Sequence, residues 1–168
     1  MKTLVLSFFL SLSMLIGFGQ EKTKQQIKEE QKLAKQKEVE ALIDSKEFEF
    51  VGDRAYPQSG RSIDLTTNSN YFRLKNDSIH SEMPFFGRAY SGVAYGGGGG
   101  LYFKGPIKNY SVEKGKKKYI IKADVRDSSD SYSVFLTVFF DGGASLNINS
   151  NNRAPINYSG DIEKLKKK

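Results

Sequence analysis

The chain has no cysteine, no tryptophan, a single histidine and only four prolines in 168 residues. Each shortage excludes a chemistry. Without cysteine there is no disulfide, no thiolate metal ligand, no thiol nucleophile and no cysteine to carry a lipid. With one histidine a two-histidine metal site cannot be built, and a Ser-His-Asp arrangement would have to use His80. Acidic residues are the charge in short supply, 19 against 26 basic ones, which leaves a net charge of +7. Long apolar runs are missing too: the longest, Leu4 to Ile16, spans thirteen residues, where a membrane helix needs about 20. No catalytic motif, metal-ligand spacing or cofactor fingerprint is present, so no catalytic residue, metal or cofactor is expected.

What is there begins with a signal. Lys2 precedes the run Leu4–Ile16, and Gly17 and Gly19 then place small residues at the −3 and −1 positions before Gln20. That is the layout of a secretory signal peptide over residues 1–19, cleaved to leave a chain starting at Gln20 and free of a membrane anchor. Export changes the meaning of the positive charge. A basic cytosolic domain would suggest nucleic acid, but an exported one rarely meets it, and none is expected as a partner. Much of the charge also sits in solvated flanks: the mixed segment Glu21–Lys46, the turn Lys114–Lys118 and the basic tail Lys164–Lys168.

From residue 20 to 45 the composition is Lys, Glu, Gln and Ala with no glycine or proline, which predicts a helix. Its apolar surface collects at the C-terminal end in Val39, Leu42 and Ile43, so order is expected from about Leu33 onward. After Lys46 the apolar period becomes two. Phe48 and Phe50, Ile63 and Leu65, Phe72 and Leu74, Leu101 and Phe103, Tyr119 to Val125, Ala144 to Ile148, and Ile156 and Tyr158 each alternate with polar residues. These read as half-buried antiparallel strands. Val134 to Phe140 is apolar on both faces, and the helix, through Leu42 and Ile43, is the expected cover for Phe135 and Phe139. Asn76-Asp77 marks a tight hairpin in which both residues accept positive φ. Short turns between consecutive strands predict a mainly β fold: an antiparallel meander of about 8–10 short strands, curled into a barrel-like or two-layer sheet over residues 46–163, with one N-terminal α-helix.

The segment Met83-Pro84-Phe85-Phe86-Gly87-Arg88-Ala89-Tyr90 resembles the core of a family of exported bacterial proteins, domain of unknown function 4251, mostly from Bacteroidota. Further stretches resemble it in order: Phe48-Glu49-Phe50 with Ala55-Tyr56-Pro57 and Gly60, then Leu101-Tyr102-Phe103, then Asn152-Arg153 with Ile156 to Gly160. The resemblance covers about residues 40 to 163 and implies an exported protein with no established activity. Many members are lipoproteins, and this chain departs from them in lacking the cysteine. The resemblance also implies that Asp77-Ser78-Ile79 matches a short O-glycosylation acceptor pattern, at Ser78.

Two neighbouring features suggest a site. Phe86, Arg88, Tyr90 and Tyr95, with Phe85, crowd aromatic faces around a guanidinium, a combination that meets sugars and carboxylates. Next to them Gly96, Gly97, Gly98, Gly99 and Gly100 form a loop expected to be flexible. It is no phosphate cradle, because a strand rather than a helix follows. Asp124, Asp127 and Asp130 lack the spacing of a calcium loop and read as turn residues, and His80 lacks a neighbour that would make it a base. The leading expectation is therefore a soluble, periplasmic or extracellular, non-catalytic binding module that takes a small apolar or sugar-like ligand in a barrel mouth. The alternative is a protein-interaction or structural module of the envelope, and a hydrolase stands third. The expected partner is a small ligand or an envelope protein.

Overall fold

The computed structural model describes residues 23–90, 99–128 and 130–165. The segment assigned to a signal peptide, Tyr95, Gly96, Gly97 and Gly98 lie outside these. Contacts divide the chain into two units, Met1–Gln31 and Lys32–Lys168. One helix, α1 (Lys24–Ser45), starts in the first and ends in the second. Its start carries a capping box: the Thr23 amide donates to Gln26 Oε1 at 2.9 Å and the Gln26 amide to Thr23 Oγ1 at 3.3 Å, which satisfies two amides the first turn leaves unpaired. Its end is a left-handed Lys46, φ 52°, whose amide donates to the Ile43 carbonyl.

Nine strands follow: β1 (Phe48–Pro57), β2 (Ile63–Asp64), β3 (Tyr71–Lys75), β4 (Ser78–Pro84), β5 (Gly100–Lys114), β6 (Lys118–Arg126), β7 (Ser131–Phe139), β8 (Gly143–Ser150) and β9 (Ile156–Lys164). From β3 to β9 every strand pairs antiparallel with the next, and β9 returns to β1, closing an eight-stranded barrel; the two-residue β2 adds to the second half of β1. The hairpin at Asn76-Asp77 has both residues at positive φ, 51° and 53°, as the Asn-Asp pair predicts.

Closure is made where β1 and β9 come closest. A side chain at Gly160 would collide with the Val51 carbonyl oxygen, so only glycine lets the strands meet there. β1 bulges at the same level, between Gly52 and Arg54, which adds the bend a barrel wall needs. At Gly52, β1 lies between its partners β3 and β2. The side chain of buried Asn70 fills that gap: its Oδ1 accepts from the Gly52 amide at 2.7 Å and its Nδ2 donates to the Gly52 carbonyl at 2.9 Å. One amide side chain thus replaces one rung of the ladder, as the accounting of buried backbone groups demands.

The period-two residues point inward. Phe48, Phe50, Phe72, Leu74, Ile79, Met83, Leu101, Leu136, Leu146, Ile148 and Tyr158 are each at most 2 % exposed, and Phe103 stacks on Tyr132 at 3.8 Å between ring centroids. An eight-stranded barrel has an interior just wide enough for its side chains to fill or to hold one small ligand; here large rings and aliphatic chains occupy it. Buried Ser81 is satisfied by donating to the Leu101 carbonyl at 2.8 Å.

The helix position differs from the expectation. Val39, Leu42 and Ile43 are buried in the barrel core rather than lying on β7. They cover the end where the β3–β4, β5–β6 and β7–β8 turns emerge, with Lys46 paired to Asp77 at 3.1 Å, Glu40 paired to Lys114, and Lys35 and Val39 beside Gly142. Phe135 and Phe139 remain 41 % and 44 % exposed on the outer wall. The reason is geometric. Phe135 stands opposite Lys122 and Asn147, and Phe139 opposite Lys118, so a helix docked there would desolvate two ammonium groups. The open barrel end offers an apolar surface instead. Asp124 is a positioning group as well: it accepts from Ser133 at 2.8 Å and from Asn109, the left-handed residue of the β5 bulge, at 2.9 Å, and these hydrogen bonds hold its carboxyl below the usual range.

Truncating one inward and one outward ring of similar size separates the two environments. Phe50→Ala is expected to lower the urea-unfolding free energy by about 3–5 kcal/mol. Phe135→Ala is expected to lower it by under ~1 kcal/mol, as a surface change does. A Phe135 cost in the core range would mean that its ring is covered.

Candidate functional site

The barrel end opposite the helix carries Phe85, Phe86, Arg88 and Tyr90. β4 ends at Pro84, residues 85–90 run across this end, and β5 begins at Gly100. Four contacts hold the crossing in place. The Tyr158 hydroxyl, reaching up from inside the barrel, donates to the Pro84 carbonyl at 2.8 Å; burial raises the phenol pKa far above its ordinary value, so it remains a donor. The Phe85 amide donates to the Gly99 carbonyl at 2.7 Å. Arg153 donates to the Gly100 carbonyl, and its guanidinium lies 5.3 Å from the centre of the Phe85 ring. The chain then pairs with the β8–β9 loop: the Tyr90 amide donates to the Asn152 carbonyl at 2.7 Å and the Ala154 amide to the Arg88 carbonyl at 2.9 Å, around an antiparallel bridge between Ala89 and Arg153.

This pairing decides which way the side chains face. Ala89 lies directly opposite Arg153, so the two share a face, and Arg88 and Tyr90 take the other. Phe85 is buried, with its ring folded over Gly87, where a side-chain Cβ would sit 2.5 Å from the ring Cζ. The aromatic cluster therefore divides: Phe85 closes the barrel, while Phe86 is 39 % and Tyr90 67 % exposed. Arg88 is exposed, and among the described residues its guanidinium makes no ion pair. Of the glycine run, Gly99 and Gly100 are not loop in character, since Gly99 accepts the Phe85 hydrogen bond and Gly100 begins β5 opposite Pro84. The ladder takes Gly100 because β4 continues to Pro84, one residue further than a strand ending with the apolar Met83 pattern would require.

Asp124 lies within β6 rather than in a turn, whereas Asp127 and Asp130 lie in the turn at this same end and bind the backbone. Asp127 Oδ1 accepts from the Asp130 amide at 2.8 Å; Asp130 accepts from the Ser131 amide at 2.7 Å and from the Ser150 hydroxyl. With Arg126, Ser131, Asn151 and Asn152 they border a polar depression of about 220 Å³. Among the described residues no group of three His, Asp or Glu is placed to hold a metal ion. Ser78 opens β4 half-buried, with its hydroxyl donating to the Gly105 carbonyl at 3.0 Å. His80 lies on the outer wall beside Tyr71 and Glu82. Arg153, which clamps the crossing, stood out in the sequence only within the Asn152-Arg153 stretch of the family resemblance and not as part of a site.

The fold and the site together define a closed, helix-capped antiparallel barrel with a clamped, ring-bearing rim. A family model describing a domain of unknown function (DUF4251) matches residues 30–162, and the chain belongs to that family. A similar solved structure is a crystal structure at 1.95 Å of a DUF4251 family protein from Bacteroides eggerthii, which superposes with a TM-score of 0.63 at 19 % identity over 78 % of this chain and 88 % of that one. At that identity the likeness speaks for the fold. No curated protein matches. No described helix is long and apolar enough to cross a membrane.

Arg153→Ala removes both the charged hydrogen bond to Gly100 and the stacking on Phe85. It is expected to destabilise the barrel by about 1–3 kcal/mol in urea unfolding, and a loss below ~0.5 kcal/mol would mean that the guanidinium does not clamp the crossing.

Proposed function

We propose that the protein is an exported, non-catalytic binding module of the cell envelope that takes a small sugar-like ligand at the rim of the barrel. The observation that carries this reading is the placement of Arg88 and Tyr90 side by side, exposed, on a backbone tied down by Asn152 and Ala154. A cation and a ring held on a rigid ledge lose little conformational entropy when they engage a ligand, and Phe86 adds a second exposed ring nearby. The filled interior favours the rim over the barrel lumen as the place of binding. The layout of residues 1–19 supports export. A second reading, a protein-interaction module, is favoured by the exposed rings of Phe135 and Phe139 on β7.

Native mass spectrometry of the protein purified from its own envelope distinguishes the two. Wild type is expected to retain a small extra mass, which Arg88→Ala with Tyr90→Ala removes while stability changes by less than ~1 kcal/mol. A protein-sized extra mass that survives this double change but is lost in Phe135→Ser would favour the second reading.

A further inference from the structure

The outer wall of β3, β4 and β5 carries a cluster that the rim does not use. Register places Tyr71, Glu82 and Tyr102 in one cross-strand row and Arg73, His80 and Lys104 in the next. With neighbouring strands about 4.8 Å apart and two residues spanning about 6.7 Å along a strand, the six side chains cover a patch of roughly 10 by 7 Å. His80, Glu82, Tyr102 and Lys104 line a shallow depression of about 430 Å³ there.

The two sides of the patch differ. On the β3 side the groups satisfy one another. Arg73 donates to buried Glu49 at 2.8 Å and lies 4.4 Å from the centre of the Tyr71 ring. Tyr71 meets His80 edge to face at 5.3 Å and donates its hydroxyl to Glu82 Oε1, which His80 Nε2 also approaches at 3.4 Å. Burial and this hydrogen bond push the Tyr71 phenol up to about 12, so it holds its proton and keeps Glu82 oriented. On the β5 side the groups are available. The Tyr102 ring lies over Gly100, which has no side chain to lift it, and covers the glycine with one face while the residue stays 62 % exposed. Lys104 is exposed, and among the described residues neither its ammonium nor Glu82 Oε2 has a partner.

We propose that this face binds a pyranose unit bearing an acidic substituent, as a second site apart from the rim. The ring of Tyr102 matches the apolar C–H face of a sugar. The free Glu82 oxygen accepts from sugar hydroxyls, a charge-assisted bond that requires a preset carboxylate. Lys104, two residues along the strand from Tyr102 and on the same face, meets the acidic group. A nucleic acid fits less well, because Glu82 lies in the patch and Arg73 is already paired with Glu49, leaving one cation for a phosphate backbone.

The test is titration of the ¹⁵N-labelled protein with trigalacturonate, with a heparin tetrasaccharide as sulfated probe and maltotriose as neutral probe. Saturable shifts are expected at the amides of Glu82, Tyr102 and Lys104 with at least one acidic probe; which one distinguishes carboxylate from sulfate. Tyr102→Ala is expected to weaken binding about tenfold. Lys104→Gln is expected to weaken the acidic probe about threefold and leave maltotriose unaffected. No saturable shift at these amides with any probe, or shifts that Tyr102→Ala leaves unchanged, would overturn the proposal. Shifts confined to Arg88–Tyr90 would also overturn it, while supporting the rim.

Discussion

Everything at both ends of this barrel depends on the meeting of β1 with β9. The other pairings in the ring join strands that are neighbours in sequence or nearly so, and most are set by a short turn. The β1–β9 pair instead joins residues about a hundred positions apart, such as Ala55 with Tyr158 and Tyr56 with Asn157. It succeeds because Gly160 carries no side chain where the strands come together, and because β1 bulges there. If it failed, the sheet would be open, with two bare edges and a core exposed on one side. Tyr158 could not reach Pro84, and the loop that carries Arg153 would lose its position beside Phe85 and Gly100.

A closed and filled barrel constrains where function can lie. The inward face is taken by rings and aliphatic chains, and one end is taken by Val39, Leu42 and Ile43. What remains is the outer wall and the opposite rim, and there the chain places side chains that the fold does not consume: Arg88, Tyr90, Tyr102 and Lys104. Each stands beside a residue that is consumed. Phe85 closes the barrel below Arg88, and Glu49 neutralises Arg73 beside the Tyr71–His80–Glu82 network. The structural partner supplies rigidity and the exposed one supplies chemistry.

Much of the fold was legible because its rules are local. The inward alternation of Tyr119 to Val125 and of Ala144 to Ile148, and the Asn76-Asp77 turn, follow from neighbours two residues apart. The meander follows from the short turns between most of its strands. The docking of the helix was not legible. Phe135 and Phe139 read as a second buried face, yet the lysines across from them, which only the register reveals, keep that wall wet. Asn70 was equally silent: nothing in its surroundings in sequence says that its amide replaces a strand at Gly52. At the site, the exposed aromatic and arginine were legible as residue types. Their division into a buried Phe85 and an outward Arg88 and Tyr90 follows the alternation along the segment, and the bridge to Arg153, a long-range pairing, fixes the register in which it is held. The flat Tyr102 was written in the spacing of Gly100 and Tyr102 on one strand face, but its significance needs the carboxylate and ammonium that β4 and β5 bring beside it.

Native-state hydrogen exchange tests the closure most directly. If the barrel is a single cooperative ring, the paired amides of β1 and β9 exchange only with the free energy of global unfolding, as those of β6 and β7 do. If β1 and β9 exchange through a lower-energy opening while β6 and β7 stay protected, the ring is not closed as a unit, and the positions argued for the rim residues lose their support.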